Sequence, residues 1–337
     1  MQAHRPDQDM LQMTDPVPIV DVQGLTVDFH GGAKPLRAVA GVDLTLRPGE
    51  VLALLGESGS GKSVTLRALM RLLPEHRAVI GGKVLVDGHD VRAMSKRDLP
   101  AYRGRTIAMI FQEPGLALDP VYRLGDQIAE AVMPHEGIAR REARARALAL
   151  FERVRIPSPA RRLDNYPHEM SGGMRQRAMI ALALACRPKV LLADEPTTAL
   201  DATVQIQVLL LLRELQRELG LAVIFVTHDI GVCTEIADRI AVMYAGRIVE
   251  IGACRDVIRT PAHPYTIGLL ASRAAGTLAK GERLAAIPGS PPDLANLPKG
   301  CAFAPRCKAV QPICESAVPE ESSVGSGHRA RCVLAVS

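Results

Sequence analysis

The sequence has no tryptophan, and Phe, Trp and Tyr together make up only 3% of its 337 residues. A nucleic-acid surface built from stacking rings needs aromatic platforms, so this composition argues against one. Also missing is an apolar run long enough to cross a bilayer. The longest, Ala178 to Cys186, stops at Arg187, far short of the about 20 residues that a spanning helix needs. The apolar core of a secretory signal is lacking too. Met1 to Pro18 is polar and Pro-containing, and it reads as a loose tail. Neither charge sign dominates. A net charge of +5 is too diffuse to choose among an anionic ligand, an anionic membrane face and an ordinary solvated surface, the default reading. No internal repeat is visible.

With 47% hydrophobic and 23% charged residues, the chain has ample material for a packed core. Its length exceeds one typical domain and suits a large α/β domain with a smaller appendage. Cysteines number seven, an odd count, and three of them (Cys186, Cys233, Cys254) fall within regular α/β patterns. That points to a reducing, cytoplasmic setting in which buried thiols are core residues.

Residues 19–29 and 41–46 alternate in polarity and predict strands. Arg47-Pro48-Gly49-Glu50 is a turn before the apolar run 51–55, which leads at once into a Gly-rich loop and a helix over 63–73, ended by Pro74. A strand pair is expected in 82–87 and 107–111. Residues 119–162 are helical in pattern, and their charge run at 139–155 reads as a solvated helix face. The α/β rhythm then resumes: helix 174–186, strand 190–193, helix 203–219 capped by Gly220, strand 222–227, and a hairpin of 240–244 and 247–250 joined at Ala245-Gly246. Strands alternating with helices imply a largely parallel sheet with ligands at the strand C-termini. After about Arg259, Pro- and Gly-rich stretches mark a separate C-terminal module.

Gly56-Glu57-Ser58-Gly59-Ser60-Gly61-Lys62-Ser63 matches the P-loop pattern, with an apolar strand before it and a helix after. Its glycines let backbone N–H groups approach phosphate oxygens, and the helix N-terminus adds partial positive charge. Lys62 can bridge β- and γ-phosphates, and the Ser63 hydroxyl can ligate Mg²⁺. A second element is the apolar strand 190–193 ending in Asp194 and Glu195. Adjacent carboxylates there are costly unless a cation or donor compensates them. Asp194 is the natural Mg²⁺ partner and Glu195 the candidate general base; the alternative is that the two merely begin a turn at Pro196. A third is His228, after the strand 222–227, placed to bond a γ-phosphate oxygen and orient the base.

Met170-Ser171-Gly172-Gly173-Met174-Arg175-Gln176-Arg177 provides a second Ser-Gly-Gly turn opening a helix, well separated from the P-loop. One chain has no need of two such termini on one γ-phosphate, but two chains set head to tail do. This stretch resembles the signature of ABC ATPases. The resemblance covers about Pro18 to Arg259 and implies a P-loop NTPase fold: a RecA-like α/β core, an antiparallel β subdomain and a helical subdomain at about 113–178. It implies that residues 56–63 and Val64 cradle ATP, with Phe29 stacking on adenine. Gln112 corresponds to the Q-loop glutamine, which contacts Mg²⁺ and water and senses membrane subunits. Asp194 and Glu195 correspond to the Walker B pair, Ala199-Leu200-Asp201 to the D-loop, and His228 to the switch histidine. Ser171, Gly172, Gly173 and Asp201 would complete the ATP site of a facing subunit. Met170 and Met174 depart from the commonest signature, while its Ser and both glycines remain.

The tail, with His263-Pro264-Tyr265-Thr266 and Cys301-Ala302-Phe303-Ala304-Pro305-Arg306-Cys307, looks like the C-terminal region of dipeptide/oligopeptide importer ATPases. Cys301, Cys307, Cys314 and Cys332 are separated by five, six and seventeen residues. Four thiols in a short Pro-rich tail suggest a metal site rather than disulfides. Zinc usually has tight Cys-x₂₋₄-Cys hooks, missing here; an iron–sulfur cluster tolerates wider spacing; free or partly buried thiols are the third reading. The resemblance implies a [4Fe–4S] cluster.

The expected domains are therefore a flexible tail at 1–17, an ABC ATPase domain at 18–258 and an extension at 259–337. The resemblance implies ATP hydrolysis that powers import of di- or oligopeptides or a related solute. It also implies a dimer with a paralogous ATPase or a second copy, two transmembrane permease subunits, an extracytoplasmic solute-binding protein acting indirectly, and no nucleic acid. The chain would sit peripherally on the cytoplasmic face of the bacterial inner membrane. The competing reading is a soluble ABC ATPase acting on nucleic acid or ribosomes. The insertion between P-loop and signature is short and free of heptads, and the chain has one cassette, which weighs against that reading.

Overall fold

A computed structural model of the chain describes residues 17–32, 34–198, 200–273 and 287–335. The expected N-terminal tail, Met1 included, lies outside the described residues up to residue 16, as do Ala199 of the D-loop and part of the C-terminal extension. Along the chain, β1 (Val20–Phe29) and β2 (Leu36–Leu46) precede β3 (Val51–Leu55), the P-loop and α1 (Lys62–Leu69). Next come β4 (Ala78–Val86), β5 (His89–Asp90), a short α2 (Leu99–Ala101) and β6 (Ile107–Ile110). A helical stretch follows: α3 (Leu124–Glu136), α4 (Arg140–Arg153), α5 (Pro159–Arg162) and α6 (Gly172–Ala183). The core closes with β7 (Val190–Asp194), α7 (Ala202–Leu219), β8 (Ala222–Thr227), α8 (Ile230–Ile236), β9 (Arg239–Tyr244) and β10 (Arg247–Ala253). The C-terminal part holds α9 (Cys254–Arg259), α10 (Pro264–Arg273), α11 (Pro312–Ser316), β11 (Ser322–Gly325) and β12 (His328–Ala330).

The strands form two sheets. One has the order β2-β1-β4-β5 and is antiparallel. The other runs β11-β12-β10-β9-β3-β8-β7-β6, parallel from β9 through β6 and antiparallel beyond. The strand pair expected from 82–87 and 107–111 does not form: β4 lies in the first sheet and β6 at the edge of the second. Both segments are apolar enough for a strand, and local sequence carries no signal of which sheet a strand joins.

The central strands are apolar at every position up to their ends because both faces are covered. Leu52, Leu54, Val190, Leu192, Ile224 and Val226 pack toward the antiparallel sheet and α1. Leu191, Ala193, Val223 and Phe225 pack toward the helical stretch, and Ala53 and Leu55 face α8 and the C-terminal module. Register then fixes the working edge. Leu55 lies opposite Thr227, Val226 opposite Asp194, and Ala193 opposite Ile110. Whatever follows these four strands emerges on one rim. No described helix is long and apolar enough to cross a membrane.

The C-terminal module is joined to the core through a buried carboxylate. Glu250, on β10, is 1% exposed and accepts hydrogen bonds from the backbone N–H groups of Ala262 (2.8 Å) and His263 (2.9 Å). Its Oε1 also lies 2.8 Å from Nε2 of buried His328 on β12. Removing one member of such a network leaves the others desolvated and unpaired. Glu250→Ala should therefore cost about 3 kcal/mol and loosen the module from the core. Chemical denaturation with limited proteolysis checks this: early cleavage between α9 and α10 is expected, and wild-type resistance would contradict the anchoring role.

Candidate functional site

The rim beyond the strand ends encloses a cavity of about 810 Å³. Phe29, Glu57, Ser58, Gly59, Gly61, Lys62, Ser63, Val64, Gln112, Glu195 and His228 all line it. These residues come from five places in the chain: the parallel register gathers those that follow β3, β6, β7 and β8, and the antiparallel sheet brings Phe29 from the end of β1. Gly56 and Gly61 are where glycine is needed. A Cβ on Gly56 would lie 2.2 Å from the Met243 carbonyl oxygen, and one on Gly61, at φ 104°, would lie 2.6 Å from that of Ala38.

Lys62 is 4% exposed, and its Nζ donates to the carbonyls of Gly56 (2.7 Å) and Glu57 (2.9 Å). Burial pushes its pKa down from the ordinary lysine value, against the opposing pull of Glu195, Asp194 and Glu57. The Ser63 hydroxyl donates to Asp194 Oδ1 at 2.8 Å, uniting two of the three expected Mg²⁺ ligands, the third being Gln112. Burial pushes the Asp194 carboxyl up, partly offset by that hydrogen bond. Ser60 is buried, and its Oγ has no hydrogen-bond partner among the described residues. A buried ammonium lining the cavity at the end of a glycine-rich loop fits an anionic ligand, and a hydroxyl beside a carboxylate is the hard oxygen donor set that suits Mg²⁺. The site therefore fits a nucleoside triphosphate with its cation.

Glu195 stands in the left-handed region at φ 45°, which costs a non-glycine residue of order 1–3 kcal/mol and typifies functional sites. The turn is held by its N–H donating to the Val226 carbonyl (3.1 Å) and by Thr198 Oγ1 donating to its Oε2 (2.9 Å). The same Oε2 lies 3.3 Å from His228 Nδ1. A carboxylate and an imidazole thus converge beside the phosphate loop, where one can take a proton from water and the other can orient it.

Residues 39–198 match the family described as ABC transporter, and residues 249–314 match the oligopeptide/dipeptide transporter C-terminal region. A relative from Brucella melitensis is 50% identical over 327 residues, covering 94% of this chain and 97% of its own length. The chain belongs to the ABC transporter family. It is an ATP-hydrolysing, nucleotide-binding subunit of that family. The oligopeptide transport ATP-binding protein OppD of Bacillus subtilis is 46% identical over 311 residues, 92% of this chain and 87% of its own. Among solved structures, the ATP-binding cassette MJ0796 in a dimeric post-hydrolysis state with ADP and Pi has a TM-score of 0.63 at 29% identity. That match covers 70% of this chain and 99% of the cassette.

The Ser171-Gly172-Gly173 turn, expected to act as a signature, stands apart from the cavity. Ser171 caps α6, accepting from the Met174 N–H at 3.3 Å, and Asp201 caps α7, accepting from the Val204 N–H at 3.0 Å. A Cβ on Gly173 would lie 2.7 Å from Val204 Cγ1, so the two helix starts are packed together. None of Ser171, Gly172, Gly173 and Asp201 lines the P-loop cavity of its own chain.

In the C-terminal module, Cys301, Cys307, Cys314 and Cys332 line one small cavity, and burial raises the thiol pKa of Cys301 and Cys332. Among the described residues, no group of three or more His, Cys, Asp or Glu side chains is placed to hold a metal ion. Sequence reasoning missed that this module also lines the nucleotide cavity, through Leu269, Pro291 and Leu294, and that Leu36 and Ala38 join it from β2. Apolar residues in a Pro-rich segment carry no local mark of such a contact.

A carboxyl whose folded pKa lies above its unfolded value binds more protons when folded, so stability is lost as pH rises from the unfolded value through the raised one. At neutral pH, Asp194 is in the penalised range. Asp194→Asn keeps an acceptor for Ser63 and removes the penalty. It should raise the melting temperature of the nucleotide-free protein and abolish the extra stabilisation that Mg²⁺ adds to ATP. Scanning calorimetry across pH checks both, and a lower melting point with Mg²⁺ stabilisation intact would contradict the assignment.

Proposed function

We propose that this chain powers import of peptides or a related solute, as one of two ATPase subunits that enclose ATP head to tail on the cytoplasmic face of a bacterial inner membrane. The observation that carries the reading is the split site. The P-loop, Glu195, Gln112 and His228 meet at one cavity, with Asp194 bonded to Ser63 beside it, while an exposed Ser171 turn, itself a helix N-terminus suited to phosphate, lies outside that lining. The C-terminal match and the name of OppD support the peptide class. Two permease subunits are the implied membrane partners, an extracytoplasmic solute-binding protein would act through them, and a paralogous ATPase or a second copy would be the other half.

Within the site, Lys62 and the amides of residues 56–63 would hold the β- and γ-phosphates, and Val64 and Phe29 would flank the nucleotide. Ser63, Asp194 and Gln112 would hold Mg²⁺, which neutralises phosphate charge when bound. Glu195 would take a proton from the attacking water, His228 would orient that carboxylate and bond a γ-phosphate oxygen, and the facing subunit's signature turn, with Asp201 beside it, would close the site. We also propose that Cys301, Cys307, Cys314 and Cys332 hold a [4Fe–4S] cluster. The reading rests on four soft thiol donors that line one small cavity and would have to draw closer than they stand to hold it. The domain limits we propose are 18–258 for the ATPase and 259–337 for the extension, with the helical subdomain at about 113–178.

Glu195→Gln should lower turnover by about 10²–10⁴-fold while leaving MgATP bound in a long-lived dimer, as read by phosphate release and gel filtration. Undiminished hydrolysis would remove Glu195 from its role. In mixed dimers, Ser171→Arg should silence the facing subunit's site and spare its own; the reverse pattern would overturn the head-to-tail arrangement. Anaerobically purified protein should be brown and contain iron, with colour lost when Cys307 becomes Ser. Iron-free protein from such a preparation would reject the cluster.

A further inference from the structure

The second residue of the P-loop is held by the C-terminal module. Arg306 lies in the loop between Cys301 and Cys307, and its side chain is 6% exposed. Its guanidinium grips the Glu57 carboxylate with both terminal nitrogens, at 2.6 and 3.0 Å. Nε donates to the Pro288 carbonyl at 2.8 Å, and the guanidinium carbon sits 5.9 Å from the Tyr244 ring centre. A second tether acts on the same residue: the Glu57 N–H donates to the hydroxyl of fully buried Tyr265, at 2.8 Å. Tyr265 packs with Tyr244 and Phe303, ring centres 4.6 and 5.4 Å away.

Glu57 matters because of where it stands. It lines the nucleotide cavity, and its carbonyl accepts from Lys62 Nζ at 2.9 Å. An unmatched carboxylate there would repel a triphosphate and compete with it for Lys62. A bidentate, nearly buried arginine cancels that charge and fixes the side chain in one orientation.

We propose that Arg306 is a positioning residue for the ATP site: by clamping Glu57 from the Cys-bearing loop, it holds the P-loop in its binding shape and neutralises a carboxylate facing the phosphates. This rests on the nucleotide reading of the P-loop cavity given above. The C-terminal module is thereby a working wall of the ATPase. Its register on the core, set by the loop between two thiols and by the turn at Gly289, reaches the phosphates through one side chain.

The test uses the full-length chain assembled with its ATPase counterpart, with KM for ATP and kcat measured at fixed Mg²⁺. Arg306→Met should raise KM about tenfold while kcat falls less than about threefold, because the clamp acts on the ground-state shape of the loop. Arg306→Lys keeps the charge without the fork and should fall between. The double variant Glu57→Gln/Arg306→Met buries no unpaired charge and should recover most of the lost affinity; a purely structural role for Arg306 would predict no recovery. If Arg306→Met does not fold, Arg306→Lys and the double variant carry the same comparison. Unchanged KM in folded Arg306→Met or Arg306→Lys, or a double variant no better than Arg306→Met, overturns the proposal. Wild-type protein that binds no ATP would instead sink the nucleotide reading, and a parallel wild-type titration separates the two failures.

Discussion

A lysine ammonium held out of water at the ends of parallel strands is the interaction on which the rest depends. Lys62 is 4% exposed, and taking an unpaired ammonium from water costs several kcal/mol. The protein meets this with two carbonyls turned inward by the glycine-rich loop and with Asp194 and Glu195 nearby. Each compensating group needs its strand to end at the correct register. The pairing of β3 with β8 and of β8 with β7 is therefore an electrostatic requirement as much as a hydrophobic one. A shift of one residue would turn the strand faces over and carry Asp194 away from Ser63.

The same logic explains why a Pro-rich tail is attached to the nucleotide site. A segment this short cannot bury a core of its own, so its stability has to come from surfaces on the ATPase. The surfaces it uses are buried Glu250, the back of β9, and the P-loop itself. Aromatic residues are scarce in the chain, ten in all, yet Tyr244, Tyr265 and Phe303 meet at this seam. Large rings give much contact area with few torsions to freeze, which suits a junction that must fix the Glu57 backbone to a fraction of an ångström.

How much of this was legible in the sequence follows the range of each interaction. The P-loop, Asp194 and Glu195 were visible because their chemistry sits within a few residues of one strand end. The hairpin at Ala245-Gly246 and the helix stop at Gly220 were visible because turn and cap residues act locally. Assigning 82–87 and 107–111 to one strand pair failed because sheet membership is decided by packing between distant segments. Arg306 and Tyr265 stand 249 and 208 residues from Glu57, and no periodicity links them. Their motifs could be recognised in the tail; the direction in which their side chains reach could not.

The separation of the Ser171 turn from its own P-loop carries the last step. A helix N-terminus attracts anions only over its first turn, because the field of its free N–H groups falls off within that distance. In this chain that turn does not line the cavity, and the packing of Gly173 on Val204 ties it to the start of α7. Moving α6 toward the P-loop would also drag Met179, Ile180 and Leu184 out of the core shared with β7 and β8. The energetically accessible way to bring a Ser-Gly-Gly turn to a P-loop is to supply it from another molecule. On the proposed arrangement, hydrolysis would depend on closing a seam between subunits, and a machine that opens and shuts that seam could do mechanical work on whatever the two subunits hold.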